Sequence, residues 1–348
     1  MLTTIYTIFA FCLIIALHEF GHFIVAKAVG ITVHEFSIGM GPKLISKTAG
    51  GTLYSLRILP IGGYVRLEGE DDDSDDENAF CNKKPWQRFL VLFAGAFMNF
   101  VLGFLMFVIL FSSSSGIATN VVDSVIPDSA FFDAGIKTGD KIVYMQSDNY
   151  KSKIGSYNDI IYYINQSGNV ESIITFKRDG KTFKKTIAPK LLNGYEKPIL
   201  GFVSKKVKPD ITNVIPAAYN QSKFVIKAVV ESFKDLLVGK VHVSELSGPV
   251  GIVNEIDSAA KKGLEVNIWQ SILNVMSLVA LISINLGVVN LFPLPALDGG
   301  RILFLIIEVI RRKPVDRNKE GYFHFVGLVI LLLLMLLITY SDIKRLIF

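Results

Sequence analysis

Four stretches of this chain are long and apolar enough to cross a lipid bilayer: Leu2 to Val29, Phe89 to Phe111, Ile268 to Leu297 and Phe323 to Tyr340. Each meets or approaches the roughly 20 residues that a transmembrane helix needs. In hydrocarbon every backbone N–H and C=O must be paired inside the protein, which restricts such stretches to helices. Phe89 to Phe111 carries no charge, and Asn99 is its one polar side chain. The expected fold is therefore a polytopic α-helical membrane protein with four transmembrane helices. The bulk agrees, with 51% hydrophobic residues among 348 and a mean hydropathy of +0.44. The net charge of +5 is not gathered into one basic stripe, so it points to membrane-surface contact and gives no support to nucleic acid binding. Cys12 and Cys81 lie far apart and indicate neither a disulfide framework nor a cysteine metal site. The N-terminus lacks a basic leader and its apolar run continues past His22, so it reads as a retained helix and not as a signal peptide.

Set in that first apolar run is Leu17-His18-Glu19-Phe20-Gly21-His22, and from Leu2 to Val33 the only other charge is Lys27. On a helix His18 and His22, four apart, project from one face, so both imidazoles reach a single metal ion. Glu19 is turned away from that pair's axis but can approach a water on the metal. This is the zinc-metalloprotease signature, with the glutamate as general base and not as ligand. Ionisable groups at membrane depth are functional by default, and burying them without partners costs several kcal/mol. A bound metal is the economical explanation.

The third apolar stretch breaks at Asn290-Leu291-Phe292-Pro293-Leu294-Pro295-Ala296-Leu297-Asp298-Gly299-Gly300-Arg301. Two prolines remove amide donors and two glycines loosen the chain, so the helix must open and restart towards Ile302 to Arg311. Irregular backbone at that depth is tolerated where it lines a cavity or is buried in protein. Alone, Asp298 would read as a helix N-cap. With His18 and His22 it supplies the third protein ligand of a catalytic zinc, leaving the fourth position for water.

Between the first two spans, Phe36 to Leu67 is rich in glycine and β-formers and predicts short strands. A small cytosolic hairpin is the plain reading; a hairpin folded beside the metal, whose edge holds a peptide by strand addition, is the sharper one. Glu68 to Glu77 has eight acidic residues in ten positions and reads as a solvated loop without chemistry. Lys and Arg crowd the first loop and Arg311 to Lys319 but are absent from the N-terminus. Both loops are therefore expected in the cytoplasm, with both termini and the region from Ser112 to Val266 outside. Within that region Ile117 to Lys205 alternates like short strands, with Asp179-Gly180 as a hairpin turn. Asn213 to Gly239 is an amphipathic helix, packed on the domain or lying on the membrane. Val125-Ile126-Pro127-Asp128-Ser129-Ala130 and Ala134-Gly135-Ile136-Lys137-Thr138-Gly139-Asp140-Lys141-Ile142-Val143 resemble the core of a bacterial protease-type PDZ domain.

Taken together, the chain resembles the bacterial site-2 proteases, the RseP-type intramembrane zinc metalloproteases. The likeness is carried by His18 to His22, Glu35-Phe36-Ser37-Ile38-Gly39-Met40-Gly41-Pro42, Pro85-Trp86, the PDZ insert, Leu246-Ser247-Gly248-Pro249-Val250-Gly251 and Asn290 to Gly300. It departs where the family often has Ala-Gly-Pro, here Ala94-Gly95-Ala96, and the insert has room for one PDZ domain only. The resemblance implies one zinc ion held by His18, His22 and Asp298, with Glu19 as catalytic base. It also implies a substrate groove shaped by Asn290, Pro293 and Pro295, and a membrane-associated β-sheet over Phe36 to Leu67, in which Gly62 and Gly63 join the candidate substrate-binding residues.

The expected organisation is two spans with the zinc motif and β-rich loop over residues 1–112, one extracytoplasmic PDZ domain over 113–206, an amphipathic helical linker over 207–266, and the last two spans over 267–348. The implied setting is the bacterial cytoplasmic membrane. The implied partners are the bilayer and single-pass membrane proteins already trimmed outside, such as anti-sigma factors or signal-peptide remnants. A non-catalytic PDZ scaffold for membrane proteins is the alternative, although a scaffold has no need of Glu19 or a complete ligand set.

Overall fold

The computed structural model describes residues 2–70, 72–240, 248–313 and 315–347, so Leu246 and Ser247 of the fifth motif lie outside the described residues. The chain divides into two compact units, one of residues 1–106 with 225–348 and one of residues 107–224.

In the first unit, helix α1 (Leu2–Ala28) leads into two long strands, β1 (Val33–Ala49) and β2 (Thr52–Leu67). After a single 3-10 turn, α2 (Pro85–Ser112) carries the chain into the second unit, and α5 (Ile211–Leu237) brings it back. Then follow α6 (Pro249–Leu264), α7 (Ile268–Asn290), α8 (Asp298–Arg311) and α9 (Arg317–Ile347). Four helical segments, Tyr6–Ala28, Pro85–Ser112, Ile268–Asn290 and Asn318–Arg345, have the length and apolarity to cross a membrane, as expected of a polytopic membrane protein. Helix α8 starts at Asp298, four residues before the expected restart, because the two glycines fall in its first turn, where intrahelical amide bonds are not yet required.

The strands of the first unit fold back on themselves. Glu35 pairs with both Arg66 and Leu53, so the first half of β1 lies between the two halves of β2, and Lys43 to Ala49 pairs with Thr52 to Arg57 on the far side. Gly39 and Gly62, with φ of +85° and +84°, sit where the strands bend, a conformation that a side chain disfavours. Glu35 ties the bend together: it is buried, accepts from Ser55 Oγ at 2.7 Å and from Arg57 at 2.8 Å, while Arg57 also donates to the Gly41 carbonyl. Burial pushes the Glu35 carboxyl up, but the bonds from Ser55, Arg57 and Tyr64 outweigh it and hold the pKa down to about 2.

Two apolar clusters join these parts. Ala26, Val33, Leu67, Val91, Leu92 and Leu305 bring the end of α1, the base of the strands, α2 and α8 together. Ala10, Ile14, Leu102, Ile256, Ala260 and Val279 bring together α1, α2, α6 and α7. Helix α6 falls within the helical linker expected over 207–266, beyond the helix expected over Asn213 to Gly239. Asn267 starts α7 by accepting from Gln270 N, and Asp342 of α9 accepts the Gly251 N–H of α6 at 2.8 Å, an anionic group at a helix N-terminus.

The second unit orders its strands β7 (Lys181–Ile187), β6 (Ser172–Arg178), β4 (Lys141–Gln146), β3 (Ile117–Val125) and β8 (Phe202–Val207), with β5 (Lys151–Lys153) on β4. One helical turn, α3 (Ala130–Asp133), and α4 (Tyr157–Ser167) complete it. The core is Val122, Phe131, Ile142, Met145, Ile160, Tyr163, Ile174 and Phe176. The β6–β7 hairpin turns on Asp179 and Gly180, both at positive φ, as that dipeptide predicts. Buried Asp140 accepts two bonds from Arg178 and one from the Lys137 amide. Burial pushes its carboxyl up, and these bonds outweigh that and leave it below the usual range.

Candidate active site

One turn of α1 separates His18 from His22, and both rings meet Asp298 at the start of α8. His18 Nε2 and His22 Nε2 are 3.2 Å apart, and each is 3.4 Å from Asp298 Oδ2. A tetrahedral ion with ligand bonds of about 2.0–2.2 Å sets neighbouring donor atoms about 3.3–3.6 Å apart. These three side chains are the group of His, Cys, Asp and Glu found among the described residues with donor atoms close enough to share an ion. The chemistry of the donors also fits. His22 Nδ1 is 2.8 Å from the Val91 carbonyl, which accepts its proton and leaves the Nε2 lone pair free. Asp298 Oδ2 is buried and lacks a hydrogen-bond partner among the described residues. The His22 Nε2 lone pair and a carboxylate oxygen, converging with the His18 ring in a largely buried place, fit a cation between them. The carboxylate is not consumed as a cap, because Leu297 is the N-cap of α8 and Asp298 is its first residue.

The helices come close enough for this because small residues line their crossings. A methyl group on Gly21 would strike the Ala94 carbonyl, and one on Gly95 would strike His22 Nε2 and lie 2.7 Å from His18 Cε1. The imidazoles thus lie directly on the α2 backbone.

The triad opens into a cavity of about 500 Å³ lined also by Glu19, Tyr64 to Leu67, Glu70, Val91, Leu92, Asn290, Ala296, Leu297 and Arg301. Glu19 and Asn290 are thus brought to the triad. A Cβ on Gly63 would come within 3.0 Å of Glu19 Cγ, so the last segment of β2 runs beside the glutamate. Gly62 lies under Met40. Pro293 is exposed and Pro295 packs on Gly327 of α9; none of these three lines the cavity.

Several residues at the site had no clear sequence signal. Glu70, from the acidic run read as solvated, is ion-paired with Arg301, one turn past Asp298. Glu68 of the same run bonds His34 at 2.6 Å and Ser74. Glu308 is bound by Arg88 at 2.9 and 3.1 Å, which occupies it away from the triad. His324, on the last apolar helix, accepts the Ala296 N–H at 2.9 Å and so steadies the loop before Asp298, where Ala296 has a φ of +67°. Only the rarity of histidine in such a helix hinted at this.

The sequence profile of peptidase family M50 matches residues 6–334. Among curated proteins, one of Clostridium perfringens named "Putative zinc metalloprotease" is 37% identical over 341 residues, covering 97% of this chain and 98% of the relative. One of the same printed description in Fusobacterium nucleatum is 37% identical and covers 96% of each. The "Regulator of sigma-W protease RasP" of Bacillus subtilis is 30% identical and covers 99% of each.

Proposed function

The chain belongs to peptidase family M50, the site-2 proteases, and from that premise we propose which residues carry its intramembrane metalloprotease activity. His18, His22 and Asp298 hold one zinc ion, and Glu19 is the general base. The observation that carries this is the triangle of Nε2, Nε2 and Oδ2 atoms 3.2 to 3.4 Å apart, opening beside Glu19 into a cavity of about 500 Å³. Zinc, when bound, supplies Lewis acidity that activates water and polarises a scissile carbonyl. Glu19 takes a proton from the attacking water and delivers it to the departing amine, so the peptide bond is exchanged for a carboxylate and an amine. The binding-only scaffold has no use for such a constellation.

A helical substrate hides its amides, so it must be unwound before cleavage. The segment Gly63 to Leu67 holds it extended by strand addition, with Gly63 against Glu19 and Asn290 across the cavity; Gly62, Pro293 and Pro295 set the backbone of these two walls. The substrates are transmembrane segments of single-pass proteins trimmed outside, anti-sigma factors or signal-peptide remnants among them. We read residues 113–206 as one extracytoplasmic PDZ domain that screens them, residues 207–266 as a linker, and the whole as a protein of the bacterial cytoplasmic membrane. Support for the PDZ reading is that β8 is the edge strand of its sheet, with Tyr157 of α4 packed on Phe202, so a peptide can be added alongside α4. The loop charges support the orientation.

The test is Glu19→Gln in the full chain, reconstituted with a single-pass substrate. The variant is expected to keep its zinc and to lose cleavage by at least a hundredfold. Undiminished turnover would remove Glu19 from the mechanism.

A further inference from the structure

The two ligand imidazoles are supported unequally. His22 Nδ1 meets a main-chain carbonyl, Val91 O, at 2.8 Å, which can only accept and therefore fixes the ring with its proton on Nδ1. His18 Nδ1 meets a side chain, Asn99, with Nδ2 at 3.2 Å. Were Nδ2 the donor, His18 would carry its proton on Nε2, the atom that faces His22 and Asp298, and could not ligate. The Asn99 carboxamide is free to present its other end. Its Oδ1 is buried and has no hydrogen-bond partner among the described residues, so turning the group by 180° forfeits no bond at that atom and puts an acceptor against His18. The rest of the residue is fixed: Asn99 is fully buried, and its main-chain carbonyl accepts from Ser283 Oγ of α7 at 2.8 Å.

Val91, Gly95 and Asn99 are spaced four apart and share one face of α2. The first supports His22, the second lies under both rings, and the third reaches His18. We propose that Asn99 is a positioning residue of the metal centre: its carboxamide oxygen accepts the Nδ1 proton of His18 and fixes that ring with the Nε2 lone pair towards His22 and Asp298. The inference rests on the ligand assignment above. It makes α2 the element that sets both imidazole tautomers, one through the backbone and one through a side chain. The Nδ1 proton stays on His18 throughout, and no bond to carbon is made or broken.

The readout is zinc affinity of the full-length protein in detergent, by competition with a chelator of known affinity, beside thermal unfolding of the zinc-free protein. Asn99→Leu removes the acceptor at similar size and leaves the Ser283 bond, which is to the main chain. It is expected to weaken zinc binding 10- to 100-fold, the usual effect of losing a histidine's outer partner. Asn99→Asp restores an acceptor and is expected to bind zinc within about threefold of the parent. Asn99→Leu binding zinc as tightly as the parent would overturn the inference, as would Asn99→Asp binding as weakly as Asn99→Leu; should Asn99→Leu not fold, the Asp variant alone decides. His18→Ala must lose the zinc. If it does not, the ligand assignment itself falls, an outcome distinct from failure of Asn99 alone.

Discussion

His18, His22 and Asp298 were legible in the sequence because each breaks a local rule: two imidazoles one turn apart in an apolar run, and an aspartate where two prolines open a span. Their supports were not. Asn99 stood out as the one polar side chain of its span, but which residue of α1 it faces depends on the crossing of two featureless apolar helices, and no pattern in one sequence sets that register. Gly95 was equally mute, since its role is the absence of a side chain beneath His22 and His18. Gly95→Ala is expected to push the rings off α2 at a cost of about 1–3 kcal/mol, the usual range for overpacking. Thermal unfolding and zinc content of the full chain check this, with both reduced.

Among the elements, hydropathy located α1, α2, α7 and α9, since it answers to one solvent boundary, while richness in glycine and β-formers located β1 and β2 but as short strands, where the fold has two of 17 and 16 residues. The folding of those two strands into a four-segment sheet was hidden, because it depends on the bend at Gly39 and Gly62 and on the Glu35–Arg57 pair across it. Glu35 ionises at about 2 in the fold against 4.5 for an ordinary glutamate. The folded state thus favours the charged form, and that contribution is fully present above about pH 4.5 and is lost as pH falls towards 2. Glu35→Gln should therefore behave at pH 7 as the parent does at low pH. Trypsin is expected to cut at Lys47 and Arg57 several times faster in the variant, while equal rates would show that the pair does not hold the bend. The loop from Phe292 to Leu297 has its own anchor in His324. His324→Leu removes the acceptor of the Ala296 N–H, which at this exposed position costs about 0.5–1.5 kcal/mol, and should lower the unfolding temperature and, through Asp298, the zinc affinity.

At the scale of the molecule, the candidate metal centre brings together residues about 280 positions apart in the chain. The 118 residues of the second unit, 107–224, lie between the two halves and contribute nothing to the cavity lining. The cavity is thus lined by helices of the first unit, by its folded strand pair and by the loops beside them. The measurement that tests this most directly is zinc per chain in the purified full-length protein, parent against Asp298→Ala. About one zinc is expected in the parent and nearly none in the variant, with the variant still folded. Stoichiometric zinc retained by Asp298→Ala would contradict it, because the far half of the site would then not be part of the metal centre.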